Sequence, residues 1–220
     1  MARRPFYDRN RVGHRAARDL REYQHRTGQR LVPPIDAELI GEVVYDLSWD
    51  WEEIEEPRGS RVLAALYVSD KRAVLNERHL EHFNDHPGLE QFTRGHEVGH
   101  AALHVDKGCL GVPFPPLLRN GDLVFHRDRS TLSSKDVDLV ERQANWYAAA
   151  LLMPEDLFTR AWRDLRPKSW SDVRELAGQF GVTPSAANVR LKVLRLPHWD
   201  NGHWVEDAST PQGQLALDLG

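Results

Sequence analysis

The chain has 220 residues, a net charge of −4, 40% hydrophobic and 28% charged residues. This composition can bury one real core with room for a small second module, and it gives no global attraction to nucleic acid. The chain shows neither a secretory signal nor an apolar run that could span a membrane. A single cysteine, Cys109, excludes a disulfide framework and a cysteine-rich zinc finger, so we expect a cytoplasmic protein.

Basic residues are frequent in the first thirty positions. Apolar residues recur there at helical spacing, at Val12, Ala16, Leu20 and Tyr23. We therefore expect residues 1–30 to form a basic helix with a loose arm, ahead of a larger domain over 31–155. The arm could contact phosphate or an acidic partner, or the helix could simply be solvated.

The next segment predicts a helix followed by short strands. A helix is expected over 36–47, and an acidic connector with aromatic residues at its edge over 49–57. Two β-rich runs within 62–75 are split by a polar tetrapeptide, which is the pattern of a β-hairpin. A further short strand is expected at 123–126.

The most informative pattern is His96-Glu97-Val98-Gly99-His100, an H-E-x-x-H motif. On a helix, histidines four residues apart project from one face, so both imidazoles can bind one metal ion. Glu97 would lie about 100° around the helix from His96, where it can reach a metal-bound water without competing as a ligand. Zinc lowers the pKa of such a water, and the glutamate takes its proton during attack on a peptide carbonyl.

The alternative is two surface histidines on an ordinary helix. Apolar residues at helical spacing favour a half-buried helix instead; these residues are Leu89, Phe92, Val98 and Ala102. Gly99 costs an isolated helix about 1 kcal/mol relative to alanine. Its best physical reason is the close approach of another backbone or of the substrate.

A catalytic zinc needs a third protein ligand. The metzincin pattern is excluded because Leu103 and Asp106 stand where that class has glycine and histidine. A straight helix cannot wrap three turns around one ion, so we interpret His104 as a residue that supports a ligand or the fold. The ligand must come from a downstream helix, expected over 136–153. Glu141 on this helix is a candidate, against the alternative of a solvated helix charge.

Two segments resemble a known family. Residues 92–104, together with 141–154 and their Glu-x-x-Ala-Asn stretch, are similar to the motifs of the ImmA/IrrE family of bacterial metallo-endopeptidases. The resemblance extends over roughly residues 30–196 and implies that Glu97 is the general base. It also implies three zinc ligands: His96, His100 and Glu141. Histidine and carboxylate ligands accept Zn²⁺ or Mn²⁺.

The resemblance implies an α+β fold, mostly α, with a zincin-like helical core and a small antiparallel sheet. It also implies cleavage of a specific helix-turn-helix repressor, which would release a stress or mobile-element response. Gln143 stands where the family often has a second acidic residue, which removes the main competitor of Glu141. Asn145, one turn after Glu141, is suited to orienting a ligand. The oxyanion-stabilising group stays open, and its unranked candidates are Tyr147, His126 and His104.

The last third of the chain has a different character. Residues 171–194 indicate a helix, a glycine turn and a second helix, with Ser171 and Thr183 as N-caps and Pro184 at the first position of the second helix. We assign 156–197 to a helix-turn-helix-like module. The family resemblance implies a structural role or a role in substrate docking for this module. The alternative is that it binds DNA. For DNA binding, the residues expected to be exposed are Ser185, Asn188, Arg190 and Lys192.

Residues 198–220 are expected to form a flexible tail. Its end, residues 214–219, reads Gln-Leu-Ala-Leu-Asp-Leu and resembles the hexapeptide with which bacterial proteins bind the replication sliding clamp. The expected clamp contacts are Gln214, Leu215, Leu217 and Leu219. The alternatives are an arbitrary apolar tail or one that packs on its own domain. Two rival functions follow, a DNA-binding regulator with a structural metal site and a clamp-associated interaction protein.

Overall fold

The computed structural model describes residues 7–56, 61–86, 88–105, 124–126 and 134–206, with the backbone alone at 124–126 and 134–138. The helices are α1 (Arg9–Thr27), α2 (Ala37–Tyr45), α3 (Leu80–Asp85), α4 (Leu89–Leu103), α5 (Ser134–Leu152), α6 (Glu155–Leu165), α7 (Trp170–Gln179) and α8 (Pro184–Val193), with a 3-10 turn at Glu77–His79. The strands are β1 (Ser48–Glu52), β2 (Ala64–Tyr67), β3 (Arg72–Asn76), β4 (Val124–His126), β5 (His198–Asp200) and β6 (His203–Val205). The fold is therefore α+β and mostly α, as predicted. None of the described helices is long and apolar enough to span a membrane.

Four strands form one mixed sheet in the order β1-β3-β2-β4. β2 and β3 are the predicted hairpin, and β4 pairs antiparallel with β2 at the predicted position. The expected connector is wrong at its start, because β1 is a strand parallel to β3. Trp49 and Trp51 are half-buried between exposed neighbours, which is the period of a strand with one covered face. The sheet is therefore mixed, not purely antiparallel.

Helices α4 and α5 cross in close contact because small residues meet at the crossing. A Cβ built on Gly99 would lie 3.0 Å from the carbonyl oxygen of Ala144, and one on Gly95 would lie 3.3 Å from the Cβ of Ala148. The close approach predicted at Gly99 is therefore that of the α5 backbone. This contact brings the H-E-x-x-H helix against the helix that carries Glu141.

Helix α1 is packed into the main core. Its buried apolar side chains are those at the predicted spacing: Val12, Ala16, Leu20 and Tyr23. Asp19, only 2% exposed, accepts hydrogen bonds from the hydroxyls of Tyr45 on α2 (2.6 Å) and Tyr147 on α5 (2.8 Å). Arg15 donates to the same carboxylate oxygen at 3.0 Å. One buried carboxylate thus joins α1 to two helices of the main core.

Helices α7 and α8 occupy the segment 171–194 predicted to be a helix, a turn and a helix, and α6 precedes them within 156–197. The N-cap of α7 is Ser169 instead of the expected Ser171, and it forms a capping box with Asp172. Thr183 caps α8 and Pro184 occupies its first turn, as expected. The buried apolar side chains of this pair and its turn are Val173, Leu176, Ala177, Phe180, Val182, Ala187 and Leu191.

The chain after α8 continues in an ordered hairpin, so the expected tail from residue 198 is wrong over residues 198–206. Strands β5 and β6 pair antiparallel and are fastened to α8. The side chain of Asn188 exchanges two hydrogen bonds with the backbone of Trp199, and Lys192 pairs with Asp200 at 2.6 Å. These contacts use one face of α8 for the protein's own packing.

Arg190 is also engaged within the protein. Its guanidinium is buried and its Nε donates to the carbonyl of Met153 at 3.0 Å. Burial lowers the pKa of Arg190 to about 10. The expectation that α8 presents this arginine for base contacts is therefore wrong, and Asn188 and Lys192 serve the hairpin contact.

Candidate metal centre

Three of the predicted site residues converge between α4 and α5. The Nε2 atoms of His96 and His100 are 2.9 Å apart. The carboxylate oxygens of Glu141 lie 3.2 Å from Nε2 of His96 and 3.5 Å from Nε2 of His100. In the part of the chain that the structure describes, these three residues form a group whose ligand atoms all lie within 4.8 Å of one another. The arrangement could hold one metal ion.

The spacing and the chemistry of these atoms fit a divalent cation. Ligand atoms bound at ~2.0–2.1 Å to a tetrahedral ion are separated by about 3.4 Å, close to the distances in this cluster. Two imidazole lone pairs facing each other repel unless a proton or a cation lies between them. Oε2 of Glu141 is buried and makes no hydrogen bond among the described residues. A bound cation would satisfy all three groups at once.

The outer nitrogen of His96 is held by Asn145. Nδ1 of His96 lies 3.0 Å from the amide oxygen Oδ1 of Asn145. That oxygen can only accept, so Nδ1 carries the proton and the lone pair of Nε2 points toward Glu141. Asn145 thus orients a histidine, one of the roles expected for it.

The outer nitrogen of His100 begins a chain of polar contacts. Its Nδ1 lies 3.1 Å from Nδ1 of His104, and Nε2 of His104 lies 3.0 Å from Oε1 of Gln143. The amide nitrogen of Gln143 donates to the backbone carbonyl of Tyr7 at 2.9 Å. One consistent proton assignment follows, in which His100 donates to His104 and His104 donates to Gln143. The supporting role of Gln143 was missed, because no local pattern gives the register of α5 against α4.

Glu97 lies on α4 between the two histidines and is only 3% exposed. Burial disfavours the charged form of His96, but the contact with Glu141 and the negative charge of Glu97 raise the pKa of His96 above its ordinary 6.5. The carboxylate of Glu97 is therefore close enough to act on the cluster electrostatically. Glu97 itself lies outside the group of three converging residues, and the motif likewise predicts that it is not a metal ligand.

The candidates for oxyanion stabilisation have distinct positions. Tyr147 is fully buried and its hydroxyl donates to Asp19, so burial and this carboxylate raise its pKa well above 10. His104 contacts His100 and Gln143, so both of its ring nitrogens are engaged within the protein. The side chain of His126 lies outside the described residues, as does the tail segment 214–219.

Comparison with known proteins supports this interpretation of the site. The family model described as Peptidase_M78, IrrE N-terminal-like domain, matches residues 80–192, a span that contains α4, α5 and all three converging residues. No curated protein matches the chain. The family match covers just over half of the sequence. The chain therefore belongs to the Peptidase_M78 family with an IrrE N-terminal-like domain, whose members are metallopeptidases of zincin-like fold.

Proposed function

We propose that this protein is a cytoplasmic, zinc-dependent endopeptidase that cleaves one specific protein, a helix-turn-helix transcriptional repressor. Cleavage would switch on a stress or mobile-element response. The observation that carries the proposal is the convergence of His96, His100 and Glu141 beside the buried Glu97. Family membership supports peptide hydrolysis, and the repressor as substrate rests on the resemblance to ImmA/IrrE proteins.

When bound, zinc polarises the scissile carbonyl and makes an attacking water more acidic. The residues of the chain have separate tasks. Asn145 and His104 fix the protons on the outer nitrogens of the two histidines, so both Nε2 atoms face the shared position. Glu97 takes a proton from the attacking water and then delivers it to the leaving amine.

The test uses Glu97→Gln, which keeps the size of the side chain and removes its basicity. We expect this variant to retain one zinc per chain by elemental analysis and to lose cleavage of the purified repressor. A small helix-turn-helix protein encoded by a neighbouring gene would be the repressor to test. A chelator should stop the wild-type reaction, and reloading with Zn²⁺ or Mn²⁺ identifies the active metal. Cleavage that persists in the Glu97→Gln variant would contradict the mechanism.

The rival functions have weaker support. A structural zinc has four protein ligands, whereas the described residues offer three. A DNA-reading α8 would need Arg190 and Asn188, which are engaged within the protein. Clamp association through residues 214–219 stays a prediction, and unchanged affinity for a purified clamp after deletion of 214–220 would contradict it.

A further inference from the structure

A groove runs along α8, where that helix faces α1 and α5. Its apolar end is a cavity of about 310 Å³. The side chains that give this end its character are Phe92, Trp146, Ala149, Ala186, Val189 and Val193. Val189 is 56% exposed, so the apolar lining of this cavity reaches the protein surface. The cavity is at the lower end of the range for ligand pockets, which suits one large side chain.

The cavity adjoins the candidate metal centre. Asn145 lines the cavity, and its amide oxygen holds Nδ1 of His96 at 3.0 Å. Phe92, which also lines it, lies one turn before His96 on α4. A side chain bound in the cavity would therefore sit one residue away from a proposed zinc ligand.

The groove is positively charged on a protein whose net charge is −4. Arg9 and Arg190 line the cavity, and none of its described lining residues is acidic. The guanidinium of Arg9 lies 4.9 Å from the ring centre of Trp146, and that of Arg142 lies 5.6 Å from it. The local charge is thus opposite in sign to that of the whole chain.

The positive character continues along α8. An adjoining cavity of about 720 Å³ shares Arg9 and Arg190 with the first, and its basic residues outnumber the acidic Glu155 and Asp156. The basic side chains of its lining are Arg9, Arg190, Lys192 and Arg195. Of these, Lys192 is paired with Asp200 at 2.6 Å, and Arg190 is buried with its Nε on the carbonyl of Met153. The groove therefore has an apolar cavity, or socket, at one end, with Arg9 and Arg190 at the boundary between the two cavities and a small excess of basic over acidic side chains along the rest.

We propose that this groove binds an acidic segment of the protein substrate and that one large apolar side chain of that segment fills the cavity beside Trp146. The apolar socket supplies the anchor, and the basic lining selects the charge of the flanking residues. The proposal rests on the proposed endopeptidase function and names the sequence character that the enzyme recognises. Because the socket touches Asn145, the anchor would lie at a short, fixed distance from the scissile bond.

Direct binding tests the groove without catalysis. The probe is a fluorescein-labelled dodecapeptide with one phenylalanine among aspartates, and the protein is the zinc-loaded full chain with Glu97→Gln. We expect saturable binding by fluorescence anisotropy, weakened about tenfold or more when lysines replace the aspartates. Equal binding of both peptides, or no saturable binding of the acidic one, overturns the proposal.

Two matched pairs of variants locate the binding. Val189→Glu places a charge at the socket on an exposed position, and Val32→Glu makes the same change at a residue 70% exposed outside the groove. Arg9→Glu reverses a charge in the groove. Arg21→Glu makes the same substitution at an exposed position of α1 outside the groove. We expect each groove variant to bind the probe about tenfold more weakly than the unsubstituted groove, and each control variant to bind it with unchanged affinity. Loss in neither groove variant overturns the proposal.

Cleavage of a peptide library by the zinc-loaded wild type separates this proposal from the enzyme function. We expect a large apolar residue with acidic neighbours at a fixed distance from the cut, and Val189→Glu should raise KM more than it lowers kcat. Cleavage without this preference overturns the groove proposal alone. Absence of cleavage overturns the endopeptidase function, and the binding measurements still decide the groove. If the chain's own tail fills the groove, Leu217→Glu should weaken that contact and free the groove for the probe. Tighter probe binding by this variant would therefore assign the groove to the tail instead of the substrate.

Discussion

Each histidine of the candidate metal centre depends on a polar neighbour for its orientation. Gln143 accepts from His104, which in turn accepts from His100, so loss of the amide frees the imidazole of His104 to rotate. We expect Gln143→Ala to weaken zinc binding by about 10- to 100-fold. The measurement is a competition titration against a chromophoric chelator.

Gln143→Glu is the matched control for that substitution. The side chain at 143 faces His104 and Tyr7 instead of the three converging residues, so a glutamate there keeps an oxygen that can accept from Nε2 of His104 and should preserve most of the zinc affinity. Melting temperatures of the metal-free variants separate a loss of zinc affinity from a loss of fold. Wild-type affinity in Gln143→Ala would show that His100 needs no such support.

The pH dependence of stability at the site follows from His96. Burial opposes its protonation, but Glu141 and Glu97 raise its pKa above 6.5 in the metal-free protein. Protonated His96 therefore stabilises the metal-free fold fully below 6.5, and this contribution is lost as the pH rises through the raised pKa. Zinc needs the neutral imidazole, so its stabilisation grows over the same interval.

We therefore expect the melting temperature of the zinc-loaded protein to exceed that of the metal-free protein by more at pH ~8 than at pH ~6. Differential scanning fluorimetry at both pH values checks this. His96→Ala should make the metal-free melting temperature less dependent on pH in that range. A difference that stays constant with pH would show that His96 does not control metal binding.

The residues of the candidate site that lie within one helix could be predicted from the sequence. His96, Glu97 and His100 follow from helical periodicity alone, because four residues make about one turn. Glu141 needed the family resemblance, since its place depends on how α5 lies on α4, and no local rule gives that register. Gln143 could not be assigned its role for the same reason.

At the scale of elements, the crossing of α4 and α5 sets the geometry of the site. A methyl group on Gly99 would lie 3.0 Å from the carbonyl oxygen of Ala144 and 3.2 Å from Cβ of Tyr147. Gly99→Ala should therefore separate the helices and lower the free energy of unfolding by about 1–3 kcal/mol, despite the better helix propensity of alanine. Urea denaturation measures this loss.

Gly13→Ala is the control for that substitution. Gly13 lies inside α1 with nothing within 4 Å of an added Cβ, so alanine there should stabilise by about 0.5–1 kcal/mol. If Gly99→Ala lowers the free energy of unfolding and Gly13→Ala raises it, the close helix contact, and not glycine itself, is what matters at Gly99. Stabilisation by Gly99→Ala would mean that the crossing tolerates a methyl group.

The elements that sequence reasoning missed depend on distant partners. In β1 the acidic residues around Trp49 and Trp51 favoured a connector over a strand. Its pairing partner β3 is parallel to it and follows β2 in the chain, so no local turn indicates the pairing. The β5–β6 hairpin differs, because its Asn201-Gly202 turn is a local hairpin signal in the sequence. Its position is fixed by Asn188 on a preceding helix. Helices with apolar stripes, such as α1 and α5, need no such partner to be recognised.

The whole molecule is joined through buried polar contacts between its parts. Arg190 of α8 donates to Met153 at the end of α5, which connects the C-terminal pair of helices to the peptidase core. Asp19 joins α1 to α2 and α5 in the same way. Sequence reasoning divided the chain at changes of composition, near residues 30 and 155, whereas these contacts cross both positions.

Asp19→Ala tests whether α1 is integral to the peptidase domain. The substitution removes the acceptor of two buried hydroxyls and of Arg15, and each buried donor left without a partner is costly. We expect a loss of about 3–5 kcal/mol in the free energy of unfolding, measured by urea denaturation of the metal-free protein. Asp70→Ala, in the exposed turn between β2 and β3, should change it by less than about 0.5 kcal/mol. A small effect of Asp19→Ala would mean that residues 1–30 behave as the separate arm that composition alone predicts, and a large one makes them part of the domain that holds the metal centre.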